Sequence, residues 1–447
     1  MTKTDVIIIG SGPGGYRTAE YAAKNGLEVI IFEENEPGGT CLNCGCIPTK
    51  TFCKHAEVMD QLQEGETYGL TNLHYDIDFH RITERKQQVV MQLREGVRTL
   101  LSSPNIQLVK GKAQFKDKNT ILANGEEYWA PHIIIATGSH AKMPPVEGIH
   151  LPGVITSTEM LDIDHVPQEL CIIGAGVIGM EFASIFHSFG SKVTVIEFLK
   201  ECIPTLDSDI AKRLRKTLER KGIEFHLQSG VKKIERSEQR LRVTFEQKGK
   251  TLSLDADTVL VATGRGANID GLGLDIVGVN YDKKGIIVDE NMSTNVDGIY
   301  AIGDVNGKMM LAHVATFQGV RAVNSILGKK DHIRFDIIPS AIFTNPEAAS
   351  VGRSEQQCKD LSIPYVCHKG YYRSNGKALA MNATDGMVKL LTDTDDKIIG
   401  CHIYGAHAAD LVQEIAALMN EDIKLAELGQ IIHTHPTLEE ILQDMAL

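Results

Sequence analysis

Short apolar runs punctuate the chain: Val6-Ile7-Ile8-Ile9, Val29-Ile30-Ile31-Phe32, Cys171-Ile172-Ile173 and, with one threonine, Val193-Thr194-Val195-Ile196. Runs without polar alternation are strands covered on both faces, as in a parallel sheet flanked by helices. Between the first two runs, Gly10-Ser11-Gly12-Pro13-Gly14-Gly15 leads into a helical pattern from Tyr16 to Asn25, and the second run closes at Glu33. Gly174-Ala175-Gly176-Val177-Ile178-Gly179 repeats the arrangement and closes at Glu197, with 23 residues from first glycine to acid in both copies. In such a unit glycines admit a pyrophosphate to the backbone, a helix N-terminus offers free N–H groups, and the acid receives ribose hydroxyls. Two matched copies predict two dinucleotide sites.

A second echo supports the duplication. Ile133-Ile134-Ile135-Ala136-Thr137-Gly138-Ser139 and Val259-Leu260-Val261-Ala262-Thr263-Gly264-Arg265 each read as a buried strand ending in a small-residue turn. Met143 to Gly148 reads as a linker, and glycine-rich 266–285 leads to Ile299-Tyr300-Ala301-Ile302-Gly303-Asp304. Beyond about residue 332 the pattern changes to short strands (Val388–Leu391, Ile398–Ile403) and an apolar helix, Ala408–Asn420, which predicts an antiparallel α+β segment. The fold class expected is α/β, with two Rossmann-like dinucleotide-binding domains and a C-terminal α+β domain. The expected boundaries are 1–144, 145–264, 265–331 and 332–447.

The length of 447 residues suits roughly three domains with ample core. A net charge of −12 disfavours nucleic acid as a partner. No apolar run reaches membrane-spanning length, and the first strand begins at Asp5, without room for a leader. Six of the nine cysteines (Cys53, Cys171, Cys202, Cys358, Cys367, Cys401) are scattered singly, as in a reducing compartment, so a cytoplasmic location is expected.

The other three cluster in Cys41-Leu-Asn-Cys44-Gly-Cys46-Ile-Pro-Thr-Lys50, behind a Gly38-Gly39-Thr40 turn. A disulfide needs Cα atoms within about 7 Å, whereas five residues of regular helix rise about 7.5 Å. Cys41 and Cys46 can therefore pair only where the backbone leaves regular helix, which Gly45 and Pro48 favour. Cys41 and Cys44, three apart, meet the limit even in a helix. Near the C-terminus, His433-Thr434-His435-Pro436-Thr437-Leu438-Glu439-Glu440 places acids four and five residues after a histidine.

Taken together, Gly38 through Lys50, both glycine units, Ala262–Arg265, Ala301–Asp304, Met310-Leu311-Ala312-His313, Phe343-Thr344-Asn345-Pro346-Glu347 and His435-Pro436-Thr437 resemble the flavoprotein disulfide reductases, and within them the dihydrolipoamide dehydrogenases. The resemblance implies an FAD domain, an inserted NAD domain, a central domain returning to the flavin and a dimerisation domain. It implies FAD on Gly10, Gly12, Gly15 and Glu33, with Lys50 near the flavin and Asp304 near its ribityl chain. NAD is expected on Gly174, Gly176, Gly179 and Glu197, with Glu181 close to the nicotinamide. Further cofactor contacts are implied for Gly14, Thr40, Gly111, Thr137, Gly138, Ser139, Val231, Gly264, Met310, Leu311, Ala312 and His313. Cys41 matches the thiol that exchanges with substrate, Cys46 the thiol beside the flavin, His435 the acid-base residue and Glu440 the carboxylate that orients it.

The implied activity is oxidation of protein-bound dihydrolipoyl groups, with electrons passing through Cys41–Cys46 and FAD to NAD+. The implied partners are a second copy of the chain and the lipoyl-bearing proteins of 2-oxo acid dehydrogenase complexes and the glycine cleavage system. No metal and no membrane are expected. A carboxylate at Glu197, without a neighbouring arginine, predicts NAD over NADP. The alternatives are a glutathione-reductase-like enzyme using NADPH and a flavin-containing redox-sensing or docking subunit. Gln443 to Leu447 lacks the C-terminal cysteine pair of mercuric and high-molecular-weight thioredoxin reductases. Cys44 departs from the commonest family pattern.

Overall fold

A computed structural model describes residues 1–447. It divides into two compact units: residues 1–51, 80–142 and 264–333, and residues 52–79, 143–263 and 334–447.

In the first unit a five-stranded parallel sheet runs in the order Ile299–Ala301, His132–Ile135, Val6–Ile9, Val29–Glu33, Ile106–Lys110. Val6, Ile7, Ile8 and Ile31 are fully buried, as unbroken apolar runs require. The first helix spans Pro13–Lys24. It starts three residues before the sequence pattern predicts, because Pro13 suits a first helical turn and Gly14 and Gly15 are wound into it. This helix packs on Ala312–Ile326. A side chain on Gly319 would lie 1.8 Å from the Thr18 hydroxyl, so glycine sets how closely the two helices approach.

The second unit contains a parallel sheet of the same design, in the order Val154–Ile155, Thr258–Val261, Glu169–Ile173, Lys192–Ile196, Glu224–His226. Each parallel sheet carries a small antiparallel insertion before its last central strand, Gln114–Trp129 in one and Ser229–Ala256 in the other. The second unit also holds a five-stranded antiparallel sheet: Ser340–Ile342, Glu347–Gly352, Ile398–Gly405, Met387–Thr392, Val366–Tyr371. Helix Ala408–Asn420 packs its buried Leu411, Val412 and Ile415 into that sheet's core. Segment 52–79 belongs to this unit. Phe52 and Phe79 each meet Phe189 edge to face, at 5.9 Å between ring centroids.

Lys389, 1% exposed, reaches Asp207 at 2.8 Å, Asp209 at 3.2 Å and also Glu355. These three carboxylates lie close enough to one another to hold a cation, and the buried ammonium occupies their centre. Burial alone would lower the Lys389 pKa; the bonds to Asp207 and Glu355 more than offset that and raise it.

Candidate active site

The two glycine turns have matching geometry. Gly10 N donates to Phe32 O and Gly174 N to Ile196 O, each at 2.9 Å. A side chain on Gly10 would meet Ala136 O at 2.4 Å, and one on Gly174 would meet Ala262 O at 2.5 Å. On Gly15 and Gly179 it would meet the first glycine's carbonyl at 1.9 and 2.0 Å. The middle glycines differ from these: Gly176 faces open space, and Gly12 meets only Gly39 Cα, at 3.8 Å. First and third glycines thus seal strand to helix, while the middle one leaves a cradle at the helix N-terminus that a side chain would fill. That cradle fits a pyrophosphate in both units.

The acids answer each other as well. Glu33 accepts Ser11 N at 3.0 Å, Ser11 Oγ at 2.7 Å and Asn35 N at 2.9 Å. Glu197, buried, accepts Ala175 N at 2.5 Å and Leu199 N at 2.7 Å. Gly111 N donates to Glu33 O and Ser229 N to Glu197 O, each at 2.8 Å, so Gly111 and the Ser229–Val231 stretch flank their acids in the same way.

In the first unit, Ser139 joins two sequence-predicted turns. Its hydroxyl donates to Asp304 at 2.5 Å and accepts from Arg265 Nε at 2.7 Å, while Arg265 Nη2 donates to Ser139 O at 2.6 Å. Asn268 staples the Thr137-Gly138 turn, receiving the Thr137 hydroxyl at 2.7 Å and donating to Thr137 O at 2.9 Å and Gly138 O at 3.0 Å. Gly138 and Gly264 both take left-handed φ, +72° and +112°. Met310 and Leu311 precede helix Ala312–Ile326, whose first turn carries Ala312 and His313. Sequence reasoning passed over Ser11, Arg265 and Asn268 as site residues. Of these, only Arg265 carries a local signal, as the residue closing the Ala-Thr-Gly-Arg run.

The dithiol segment resolves the geometric question posed by the sequence. Helix Gly39–Cys44, which contains Thr40, stops at Gly45, whose backbone (φ −148°, ψ −112°) is non-helical, and a new helix, Cys46–Gln63, begins at once. A side chain on Gly45 would lie 2.9 Å from Thr40 O, so the break needs glycine. All nine cysteines are thiols here. Across the break the Cys41 and Cys46 side chains are hydrogen-bonded. That contact, then burial, raises the Cys41 pKa, while the Lys50 ammonium pulls it down. The scattered cysteines are of another kind: burial pushes the Cys171 thiol up to about 12, and it raises Cys202 and Cys401 as well.

The remaining predicted residues lie in the second unit. Glu181, 4% exposed on helix Val177–Ser188, accepts Phe343 N at 3.0 Å, and Ser184 one turn on accepts Asn345 N at 3.0 Å. The Phe343–Glu347 segment therefore braces the helix that carries Glu181. His435 Nδ1 lies 2.8 Å from Glu440 Oε1, and Glu440 Oε2 accepts Thr437 N at 2.8 Å. The Thr437 N–H, then His435, holds the Glu440 carboxyl below its ordinary range. With Nδ1 committed to the carboxylate, Nε2 is presented on a ring whose side chain is 81% exposed. His433 is built differently: it is buried between Glu414 and Ile431 O, each at 2.9 Å, which makes it a structural clamp.

Comparison with known proteins adds a separate line of observation. Residues 4–319 match the pyridine nucleotide-disulphide oxidoreductase family and residues 338–446 its dimerisation domain. The chain is 39% identical to a dihydrolipoyl dehydrogenase of Chlamydia muridarum, over 99% of this chain and 96% of the relative. It is 38% identical to that of Geobacillus stearothermophilus, over the same shares. Among solved structures it is similar to the HOCl-induced flavoprotein disulfide reductase RclA from Escherichia coli, with a TM-score of 0.89, 29% identity and 99% of each chain covered.

Proposed function

The chain belongs to the pyridine nucleotide-disulphide oxidoreductase family, and from that premise we propose that it is a dihydrolipoyl dehydrogenase with FAD and NAD as its cofactors. One observation supports this reading above the others: the Cys41 and Cys46 thiols meet across a helix break in the unit that carries the first dinucleotide cradle. We assign residues 1–144 to FAD, 145–264 to NAD, 265–331 to completing the flavin site and 332–447 to the dimer interface, in a cytoplasmic homodimer.

The substrate is a dihydrolipoyl arm. Its thiols are weak nucleophiles at neutral pH until deprotonated. In the homodimer of this reading, His435 of the partner subunit, its Nδ1–H held by a carboxylate of its own chain, accepts the first proton at Nε2. The substrate thiolate attacks Cys41 of the oxidised Cys41–Cys46 pair, forming a mixed disulfide and releasing Cys46 as thiolate. The second substrate thiol then attacks its own bound sulfur, its proton passing to the departing Cys41 sulfur, breaks the bond to Cys41 and leaves as the lipoyl disulfide. The dithiol now holds two electrons. Bound FAD supplies the two-electron relay from that dithiol to NAD+. Gly10, Gly12, Gly15 and Glu33 hold its dinucleotide, assisted by Gly14, Gly111, Thr40 and the Met310–His313 turn, while Lys50 stabilises the neighbouring thiolate. Asp304, fixed through Ser139, would hold the ribityl chain, with the Thr137-Gly138 and Gly264 turns beside it. The second cradle, Gly174, Gly176 and Gly179, would hold NAD+, with Glu197 to receive the ribose, Val231 to flank it and Glu181 to serve the nicotinamide end. Lipoyl-bearing proteins of 2-oxo acid dehydrogenase complexes and the glycine cleavage system are the partners in this reading.

The test is a steady-state assay of purified enzyme: NADH formation from dihydrolipoamide and NAD+, beside NADPH oxidation by glutathione disulfide. Fast turnover in the first only is expected. Turnover in the second only would replace this reading with a glutathione reductase.

A further inference from the structure

Each cradle is braced by a second backbone contact. The residue after the first glycine gives its N–H to the acid, and its carbonyl accepts one N–H from further along the chain: Gly38 N to Ser11 O at 2.9 Å in the first unit, Ile203 N to Ala175 O at 2.8 Å in the second. Both donors take left-handed φ, +109° at Gly38 and +45° at Ile203. Glycine adopts that conformation freely, whereas a β-branched residue there is strained. Such strain persists only where the surroundings over-determine it. Here Cys202 and Ile203 are fully buried, and Leu206 N closes a turn on Ile203 O at 3.0 Å. Asp207 follows, also buried, and caps helix Ser208–Lys221 by accepting Asp209 N at 3.0 Å. Its carboxylate is gripped from the dimerisation domain, by Lys389 Nζ at 2.8 Å and by Glu355 N at 3.2 Å. No step of the reaction uses the buried Lys389 ammonium.

On the reading of the second unit as an NAD site, we propose that Lys389 is a positioning residue for that site. It anchors Asp207, the anchored helix start holds the Ile203 turn in its strained form, and Ile203 N fixes Ala175 between the first two glycines of the cradle. NAD affinity is thereby set in part by the dimerisation domain, through side chains that do not touch the dinucleotide. The first unit differs at the matched position. Gly38 needs no external hold to keep a left-handed φ, so FAD binding is independent of Lys389.

The test uses FAD-loaded enzyme, with calorimetric binding of NADH and steady-state kinetics for wild type, Lys389→Met, Asp207→Asn, Ile203→Gly and the Ile203→Gly/Lys389→Met double variant. Lys389→Met is expected to weaken NADH binding and to raise the KM for NAD+ about ten-fold. FAD content, kcat at saturating NAD+ and the KM for dihydrolipoamide should stay at wild-type values. Asp207→Asn leaves the ammonium two carboxylates and the helix its cap, so it creates no unpaired buried charge and should weaken NADH binding about three-fold. It carries the test should Lys389→Met fail to fold. Ile203→Gly gives up a buried side chain and should melt lower than wild type, but glycine relieves the turn. In that background Lys389→Met should change NADH affinity by less than about two-fold. NADH affinity within about two-fold of wild type in Lys389→Met, or in Asp207→Asn where Lys389→Met does not fold, would overturn the proposal. So would FAD loss in parallel with NADH loss, or the same loss from Lys389→Met with and without Ile203→Gly. If wild type bound no NADH, the NAD reading would fall and this proposal with it; normal NADH binding by wild type and by both anchor variants removes this proposal alone.

Discussion

The two nucleotide units share a skeleton down to single hydrogen bonds, and they differ where chemistry is needed. Both seal their glycine turn with the same carbonyl approach, and both anchor a carboxylate on the residue after the first glycine. The first unit adds the Ser11 hydroxyl to its acid and places two thiols in contact behind the turn. The second has Ala175 in place of Ser11, no cysteine pair, and an exposed ring after its acid. Duplication supplied a binding frame, and the specialised roles arise from the few positions at which the copies diverge.

The largest effect should come from chemistry that lies in neither frame. His435→Ala is expected to lower dihydrolipoamide turnover 10²- to 10⁴-fold, on the order expected for a lost general base, while NADH-driven reduction of the flavin continues. Cys46→Ser should abolish turnover and Cys44→Ser should spare it; peptide mapping of oxidised enzyme should find the Cys41–Cys46 bridge. Next is a change confined to one copy. The carbonyl met 2.0 Å from a side chain on Gly179 means that Gly179→Ala must displace its helix. Overpacking of this kind costs about 3 kcal/mol, or roughly 100-fold in NAD affinity, with the flavin spectrum retained. Gly15→Ala, facing 1.9 Å, should instead cost the flavin. Glu197→Ala removes an acceptor of ribose hydroxyls and should raise the KM for NAD+ roughly ten-fold, by about 1.5 kcal/mol, while reducing discrimination against NADP+. The smallest effect concerns stability. Burial lowers the His433 pKa, but the bonds to Glu414 and Ile431 O more than offset it, so the folded value lies above the unfolded one of about 6.5. The stabilisation from this clamp is therefore complete below the unfolded value and lost as pH rises through the folded one. Melting temperatures between pH 6 and 9 should fall in wild type by about half a degree more than in His433→Gln, on the order of 0.5 kcal/mol.

Sequence alone revealed the parts of this site that local geometry determines. The glycine spacing, the acid at each strand end and the need for a helix break between Cys41 and Cys46 are all constraints within a few residues of chain, and the break falls at Gly45. The hydrogen bond between His435 and Glu440 likewise spans five residues. What escaped sequence reading depends on distant partners. Phe343 braces Glu181 from 162 residues away, Arg265 reaches Ser139 from 126, and Phe189 draws segment 52–79 into the second unit. The exposure of Phe198 was equally hidden, because the residue types read the same whether such a side chain is buried or stands in solvent.

The central claim is that one dithiol joins a dihydrolipoyl substrate to a nicotinamide site through a flavin. Anaerobic addition of one equivalent of dihydrolipoamide to the oxidised holoenzyme, followed by NAD+, tests it most directly. The account predicts two-electron reduction of the enzyme and then release of about one NADH per dihydrolipoamide consumed, with neither step in Cys46→Ser. Reduction of the flavin by NADH but not by dihydrolipoamide would contradict it, and would show that the dithiol serves a different disulfide.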